Sequence, residues 1–235
     1  KYIDIPGNVR SIGDYAFENC RSLKEVDLDT CTADINATMF KTCDSLETFY
    51  VSYKNKRYSG GYGLIDKTTK TLVVGSTNGN LGDKIINSND YPIETIGDSA
   101  YYGRNITEVI LPLTLRSINR SAFANTKLKN IYIPNTVQNI GRYAFYNTPL
   151  EKIILGENIN TIGFLAFDNC SNLTSIVATS INPCDVSFTA DNQANITVEV
   201  DSPYINTYKA DPYWKNMNIV ESDEYDNGFF YYLDN

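Results

Sequence analysis

One six-residue motif recurs along this chain at a fixed interval, and it constrains the fold more than any other feature. Each copy begins with Ile-Gly, or with Ile-Asn in one case, and ends with an aromatic residue. These aromatic residues are Tyr101, Phe123, Phe145 and Phe167, and their spacing is constant (123−101 = 145−123 = 167−145 = 22). A period of this length is typical of a solenoid, in which each unit is too small to bury its own apolar side chains and packs against its neighbours. The sequence therefore predicts an elongated stack of coils.

Two earlier aromatic residues extend the pattern towards the N-terminus. Phe17 and Phe40 end similar motifs, although their spacing is longer by one position (40−17 = 23). Because residues at one position of a repeat face the same way, we expect these two and the four later aromatic residues to form one interior stack. The glycine after the isoleucine, as in Gly141 and Gly163, indicates either a positive φ or close packing against the next coil. Asn119 at the same position fits a positive φ, because asparagine tolerates that region.

Short strands are expected between the motifs, and one region interrupts them. The alternation Val26-x-Leu28 is typical of a short strand with one buried face, and the Ile-Gly dipeptides are expected to form turns. Residues 53–83 lack the motif. Within them, residues 63–75 are two short apolar segments around a polar turn, which predicts a hairpin. We expect this hairpin to be inserted on the edge of the solenoid.

A cap is expected after the last repeats, because an open solenoid would otherwise expose its final apolar face. Residues 196–221 are assigned to this cap, with a short helix that begins near Ser202 and Pro203. The predicted fold is an α/β repeat solenoid with short strands, few helices, an inserted hairpin and a C-terminal cap. Residues 1–221 form this single solenoid, and residues 222–235 form a tail.

Charge and the absence of histidine limit the function classes. The chain has 20 Lys and Arg against 28 Asp and Glu, a net charge of −8, which argues against a nucleic-acid or anionic-membrane partner. It contains no histidine, which excludes Ser-His-Asp and Cys-His catalytic sites and imidazole metal sites. Carboxylate pairs and oxygen-ligand Ca²⁺ sites pass this filter. We expect no enzyme activity, no cofactor and no metal site.

Three of the five cysteines occupy one position of the repeat. Cys20, Cys43 and Cys170 each follow the repeat aromatic residue by three positions, and Thr126 and Thr148 occupy the same place in other units. A position shared by Cys and Thr indicates a small, partly buried side chain between coils. Cys20 and Cys43 lie on neighbouring coils. Free buried thiols are the favoured interpretation, and a disulfide is the alternative.

The repeat consensus resembles a known family. The segment from Ile5 to Leu28 has the pattern Ile-Pro-x-x-Val-x-x-Ile-Gly-x-x-Ala-Phe-x-x-Cys-x-x-Leu-x-x-Val-x-Leu. This pattern resembles the BspA-like (Treponema pallidum-type) leucine-rich repeats of Bacteroidetes, and the resemblance covers about residues 1–51 and 84–221. It implies a right-handed leucine-rich-repeat superhelix.

The resemblance also implies a location and a class of function. Family members are secreted or surface-attached bacterial proteins, so the expected location is extracellular or on the outer cell surface. Because Lys1 begins directly with a repeat strand, we expect the chain to start inside a longer precursor, with a possible lipid anchor upstream. The family includes adhesins that bind host matrix proteins or other bacteria.

A column of outward strand residues is the candidate binding site. Its members are Asp27, Tyr50, Ile110, Tyr132, Ile154 and Val177, and the column is more apolar than a solvated sheet face needs to be. We expect Tyr50, Ile110, Tyr132 and Ile154 to contact a host matrix protein, a bacterial surface protein or a glycan. Two alternatives stay open: the hairpin covers this column, or its residues only have a high β propensity. The competing function is that of a structural spacer within a larger surface protein.

Overall fold

The computed structural model describes residues 1–76, 92–180, 182–184, 186 and 193–222. Within them the chain is a β-solenoid of short strands with few helices. Residues 77–83 of the hairpin region lie outside the described residues, and so do residues 223–235 of the expected tail. In the described part of the chain, no helix has the length and apolar character needed to span a membrane.

The described residues include fifteen strands and the short α-helix Ile205–Ala210. The strands are β1 Tyr2–Asp4, β2 Glu25–Asp27, β3 Thr48–Tyr50, β4 Tyr58–Ser59, β5 Gly63–Asp66, β6 Thr71–Gly75, β7 Thr95–Ile96, β8 Ser117–Ile118, β9 Asn130–Tyr132, β10 Asn139–Ile140, β11 Lys152–Leu155, β12 Thr161–Ile162, β13 Ser175–Ala178, β14 Thr197–Val200 and β15 Asn218–Glu221. The helix α1 is Ile205–Ala210, and 3₁₀ turns lie at Ala37–Phe40 and Ser202–Tyr204.

The strands form three sheets. The first sheet pairs β1, β2 and β3 in parallel. The second sheet has the order β12, β10, β8, β7, β6, β5, β4, in which β6 is parallel to β7 and antiparallel to β5. The third sheet pairs β9, β11, β13, β14 and β15 in parallel. The Ile-Gly motif begins with a short strand of the second sheet, where the sequence predicted only a turn.

The repeat aromatic residues stack inside the solenoid, but in two groups. Tyr101, Phe123, Phe145 and Phe167 form one stack, with neighbouring ring centroids 5.2, 5.3 and 5.4 Å apart. Phe17 and Phe40 form a separate stacked pair at 5.3 Å. Phe40 belongs to the N-terminal group of buried residues, here called the first core, and Tyr101 belongs to the C-terminal group, the second core. The prediction of one continuous stack is therefore wrong.

The hairpin β5–β6 separates the two cores. All four residues of β5 are buried. Leu64 and Val74 pair with each other and lie in the first core, whereas Ile65 and Leu72 pair and lie in the second core. A β-bulge shifts the register after Leu64, which brings Leu72 to the face of Ile65. The hairpin exists as predicted, but it is an internal wall with two apolar faces and not an addition at the edge.

A buried arginine joins the two cores across this wall. Arg104 donates hydrogen bonds through Nη1 to the carbonyl oxygen of Cys43 at 2.6 Å and through Nη2 to that of Phe40 at 3.3 Å. Burial lowers the pKa of the Arg104 guanidinium below its usual range, and the nearby Cys43 opposes that shift. Arg104 occupies the Cys/Thr position of its coil. Its length lets it reach a neighbour that a threonine could not reach.

The other residues at the Cys/Thr position of the repeat contact backbone carbonyl oxygens of their own or the neighbouring coil. Thr126 and Thr148 donate to the carbonyl oxygens of Phe123 and Phe145, both at 2.8 Å. Cys170 is buried, and its thiol contacts the carbonyl oxygen of Phe145 at 3.2 Å. Cys20 is exposed, because no described coil before it covers this position, so the expectation of partial burial is wrong there. Cys20 and Cys43 are not joined by a disulfide, so the favoured interpretation of free thiols is confirmed for this pair.

The regular spacing of the glycines reflects close packing and not a positive φ. A Cβ at Gly141 would lie 2.6 Å from the backbone nitrogen of Arg120, and a Cβ at Gly163 would lie 2.4 Å from that of Arg142. The positive φ occurs two positions later, as at Tyr143 with φ 58°. The expectation of a positive φ at Asn119 is also wrong, because its φ is not in that region.

The C-terminal residues cover the end of the second core. Helix α1 begins shortly after Ser202 and Pro203, as predicted. Tyr208 and Trp214 are fully buried and form an edge-to-face pair at 5.3 Å. The indole Nε1 of Trp214 donates to the carbonyl oxygen of Cys184 at 2.7 Å, which satisfies the polar group of a buried ring.

Candidate binding surface

Three of the outward residues lie side by side on the third sheet. Ile154 in β11 pairs with Tyr132 in β9 on one side and with Val177 in β13 on the other. Each of these side chains is partly buried, whereas the neighbours before and after them in the chain, such as Ile153 and Leu155, are buried in the second core. Strand neighbours are about 4.8 Å apart, so the three form one continuous row. We call Tyr132, Ile154 and Val177 the apolar row.

The apolar row ends at a charged residue. Val177 pairs with Glu199 of β14, and Glu199 pairs with Val220 of the edge strand β15. At the other end, burial raises the pKa of the Tyr132 phenol, and the negative charge of Glu157 adds to the shift. The phenol therefore stays protonated at neutral pH, and it offers a hydroxyl beside an apolar ring.

Ile110 extends the row only in part. By the spacing of the repeat it stands one coil before Tyr132, and it is partly buried. It lies outside the bounded strands, at an isolated bridge position. The structure therefore places Tyr132 and Ile154 side by side, and the spacing of the repeat puts Ile110 one coil before them.

Tyr50 does not join this surface. It lies in β3 of the first sheet, beside Asp27 of β2, which in turn pairs with Asp4 of β1. The predicted single column is thus split between two sheets, because the hairpin wall separates the coils of the first core from those of the second. We call Asp4, Asp27 and Tyr50 the acidic row. Its Tyr50 side chain is 48% exposed.

The hairpin does not cover the apolar row. Strands β5 and β6 belong to the second sheet, and their side chains fill the two cores. The apolar row lies on the third sheet and keeps partial exposure at each position. Among the described residues of the insert, the hairpin strands therefore do not shield the apolar row.

A cleft beside Tyr50 was not predicted from the sequence. It has a volume of about 690 Å³ and is lined by residues of β3, β4 and the connection between them, such as Tyr53, and by Lys67 after β5. Tyr53 is 90% exposed. Gly60 forms part of the wall, and a Cβ there would lie 2.2 Å from the carbonyl oxygen of Phe49. In the sequence, the sign of this cleft is the pair Tyr53 and Tyr58, which shortly precedes Gly60-Gly61.

One buried carboxylate lies close to this cleft and has a structural role. Arg57 donates to the Asp66 carboxylate at 2.9 Å and also pairs with Asp34. Burial acts to raise the pKa of Asp66, but hydrogen bonds from Thr68 and Arg57 outweigh it and hold that pKa below its usual value. The Asp66 side chain therefore stays ionised and fixes the turn that ends β5.

Among the residues that the structure describes, no three or more His, Cys, Asp and Glu side chains lie together in an arrangement that could hold a metal ion.

Comparison with known proteins identifies the family. The family model of the BspA type leucine-rich repeat region matches six copies over residues 1–89 and 94–208. A search of curated proteins gave no match. Among solved structures, a leucine-rich repeat protein from Eubacterium ventriosum is 24% identical, with a TM-score of 0.52, and the match covers 85% of this chain and 47% of that one.

A second solved structure shares the fold. The pneumococcal vaccine antigen PcpA is 16% identical, with a TM-score of 0.57, and the match covers 95% of this chain and 68% of that one. The present chain thus spans about half the length of the Eubacterium protein and about two thirds of PcpA. At these identities the likeness concerns the fold alone. With the repeat model matching most of its length, the chain belongs to the BspA type leucine-rich repeat family.

Proposed function

We propose that this chain is a non-catalytic, adhesin-like binding protein, secreted or attached to the outer surface of a bacterium such as a member of the Bacteroidetes. Its partner is a macromolecule of the extracellular space: a host matrix protein, a bacterial surface protein or a glycan. The observation that carries the proposal is the apolar row, in which Tyr132, Ile154 and Val177 stand in register on three parallel strands.

The shape of the apolar row favours an extended partner. The three partly exposed side chains lie on the outward face of three neighbouring strands, so they offer contact area along the solenoid axis. Small ligands are usually held in concave sites that bury most of their surface, whereas repeat proteins bind through long open faces. The row therefore fits a protein or polysaccharide chain better than a metabolite.

The composition of the row resembles the centre of a protein interface. Interface centres are depleted of charge and enriched in aromatic and aliphatic residues, with charged residues at the rim. Tyr132 supplies a ring and a hydroxyl, Ile154 and Val177 supply aliphatic area, and Glu199 and Glu157 border them. The acidic row has the opposite character, with carboxylates on β1 and β2.

The location is supported by the same relatives. PcpA is described as a pneumococcal vaccine antigen, and a surface location for the present chain agrees with that description. The family resemblance points in the same direction, with a lipid anchor upstream as the proposed means of attachment.

The test is a binding screen with a paired variant. The purified chain is screened against an array of matrix proteins, bacterial surface proteins and glycans, and the strongest signal is quantified by surface plasmon resonance. Tyr132→Asp with Ile154→Asp places two charges in the row, and we expect the affinity to fall at least about tenfold. Far-UV circular dichroism of both proteins verifies the fold.

A matched control separates this effect from general charge. Tyr102→Asp with Tyr213→Asp adds the same two charges at exposed aromatic residues outside the row, and it should bind like the parent. Equal binding by the row variant would reject the proposal. That result, or a screen with no binder, would favour the alternative function, in which the chain is a rigid spacer within a larger surface protein.

A further inference from the structure

A basic and aromatic corner lies on the second sheet, away from the apolar row. Arg120 and Arg142 follow β8 and β10 at the same position of consecutive coils, and Phe164 takes that position after β12. The amide of Ser121 donates to the carbonyl oxygen of Arg142 at 3.0 Å, and that of Tyr143 donates to the carbonyl oxygen of Phe164 at 3.3 Å. These bonds hold the three side chains in line along the solenoid axis. We call Arg120, Arg142, Tyr143 and Phe164 the arginine corner.

Aromatic rings hold one of these arginines in place. The Arg142 guanidinium lies 4.8 Å from the centroid of the Tyr143 ring and 5.2 Å from that of Phe164. Its Nη2 also donates to the Tyr143 hydroxyl at 3.1 Å. Arg142 is exposed, and the Phe164 side chain is 55% exposed. The guanidinium is therefore preorganised at the surface, which lowers the entropy lost when it binds a ligand.

The charge of the corner is not neutralised by the protein. In the described ranges, ion pairs join many exposed cations to carboxylates on the neighbouring coil, as in Lys24–Glu47, Lys70–Glu94 and Lys129–Glu151. Neither Arg120 nor Arg142 has such a partner among the described residues. Adjacent unpaired cations repel one another, so an anionic ligand would stabilise them.

Two acidic residues bound the corner along the repeat. Asp98 occupies the same repeat position as Arg120, one coil earlier. Asp168 occupies the repeat position of Tyr146, one coil later, and the Tyr146 ring contacts Tyr143 of the corner. At this repeat position the positive charge is thus confined to the two coils of Arg120 and Arg142, in a protein whose net charge is −8. A short anionic stretch fits this site, whereas a large anionic surface would meet the acidic flanks.

We propose that the arginine corner binds an anionic glycan, such as a sulfated or uronate-containing polysaccharide. Arginine presents a planar fork of N–H donors that matches carboxylate and sulfate oxygens. The exposed part of the Phe164 ring can pack against the apolar side of a sugar ring. Coils spaced by about 4.8 Å repeat these contacts along a line, which suits a linear chain with an anionic group on successive sugars.

This inference does not rest on the proposed function of the apolar row. The arginine corner is on the second sheet, and the apolar row is on the third. Variants of one surface should leave ligands of the other unaffected. A protein could therefore keep glycan binding after Tyr132→Asp with Ile154→Asp, and lose it after changes at Arg120 and Arg142.

The experiment titrates the chain with a size-defined heparin oligosaccharide at low and moderate ionic strength, by isothermal titration calorimetry. We expect binding that weakens with salt, because exposed charges are screened. Arg120→Ser with Arg142→Ser should lower the affinity by a factor of roughly 10 to 100, as for lost charge-assisted hydrogen bonds. Phe164→Ala should lower it by a factor of about 3 to 10 through the lost ring contact.

Controls separate a site from general electrostatics. Arg10→Ser with Arg21→Ser removes the same charge from exposed arginines of the N-terminal coil, and it should bind heparin like the parent. Arg142→Lys keeps the charge and loses the fork, so it should bind more weakly than the parent. Melting curves of each variant check that the fold is intact.

Three results would overturn the proposal. The first is no heparin binding by the parent at low salt. The second is an equal loss in the N-terminal control, which would reduce the effect to net charge. The third is tighter binding of poly-L-glutamate than of heparin, because the ligand would then be an acidic protein segment and not a glycan.

Discussion

The two halves of this solenoid are built from one repeat but differ in how closely they follow it. In the second core the spacing of the aromatic residues is constant, and the rings of Phe123 and Phe145 are nearly parallel, 6° apart. In the first core the spacing is longer by one position, and Phe17 and Phe40 are 19° apart. Phe17 is also only partly buried, since no described coil precedes it. Neighbouring rings of the second core are thus 6° to 13° apart and closer to parallel than the pair in the first core.

The two halves also differ in what lies on their outward strand faces. The acidic row of the first sheet contains Asp4 and Asp27, whereas the apolar row of the third sheet contains Tyr132, Ile154 and Val177. Position within the repeat therefore decides which residues face outward, but it does not decide their chemistry.

The prediction with the largest expected loss of stability compares the two aromatic stacks. Phe145 is fully buried between two rings, so Phe145→Ala should lower the free energy of unfolding by about 3–5 kcal/mol. Phe17→Ala should lower it by only about 1–2 kcal/mol, because that ring is stacked on one side and partly exposed. Urea denaturation of both variants measures the two values. Equal losses would remove the distinction between the cores.

The next effect tests whether Arg104 couples the halves. Arg104→Ala removes two hydrogen bonds from a buried cation to carbonyl oxygens of the first core and should cost about 3 kcal/mol. It should also separate the unfolding of the two cores, which calorimetry would record as two transitions. Thr126→Ala is the matched control, because its hydroxyl bonds only within its own coil. A single transition in the Arg104 variant would contradict the coupling.

The third prediction concerns the pH dependence of stability that Asp66 gives at the end of hairpin strand β5. Because the folded pKa of Asp66 lies below its unfolded value, its contribution to stability is present above the unfolded pKa and is lost as the pH falls through the folded pKa. Asp66→Asn should cost about 1–2 kcal/mol at neutral pH, and the difference from the parent should shrink below pH about 4. Denaturation at several pH values measures this. A constant difference down to pH about 2 would be inconsistent with it.

The smallest expected loss of stability concerns a ladder of asparagine side chains. Among the described residues, the complete ladder lies in the second half. Asn169 donates to Asn147 at 2.7 Å, and Asn147 donates to Asn125 at 2.6 Å, all at one corner of consecutive coils. Asn147→Gly removes both contacts but keeps the positive φ of 54°, so it should cost about 0.5–1 kcal/mol. Thermal melting detects this, with Asn105→Gly as an exposed control without a described ladder contact. No loss at Asn147 would show that the ladder is incidental.

The sequence allowed the stack, the short strands and the cap to be anticipated, because each depends on spacing. Phe123 and Phe145 share a phase, and residues that share a phase in a solenoid must face the same interior. The apolar row follows from the same alternation, since Ile153 and Leu155 face inward and leave Ile154 outward.

The break between the cores could not be anticipated in this way. The separation of Phe40 and Tyr101 along the chain (101−40 = 61) is close to three periods, so a continuous stack was equally consistent with the spacing. The hairpin packs on both faces, and this depends on a β-bulge after Leu64 that has no marker in the sequence. Arg104 was the one visible sign, as a long charged residue at a position otherwise held by Cys and Thr.

The arginine corner was missed for a different reason. Arg120, Arg142 and Phe164 recur with the period of the repeat, and that signal is present in the sequence (142−120 = 164−142 = 22). Exposed charged residues are usually solvated, however, and only the structure shows that two rings hold the Arg142 guanidinium.

The most direct test of the account is a hydrogen-exchange footprint of the bound partner. The central claim is that the outward face of the second half, and not that of the first, is the binding surface. With the strongest binder from the screen present at saturation, we expect slower exchange at β9, β11 and β13, and unchanged exchange at β1, β2 and β3. Protection of the first sheet, with β9 to β13 unchanged, would contradict the claim.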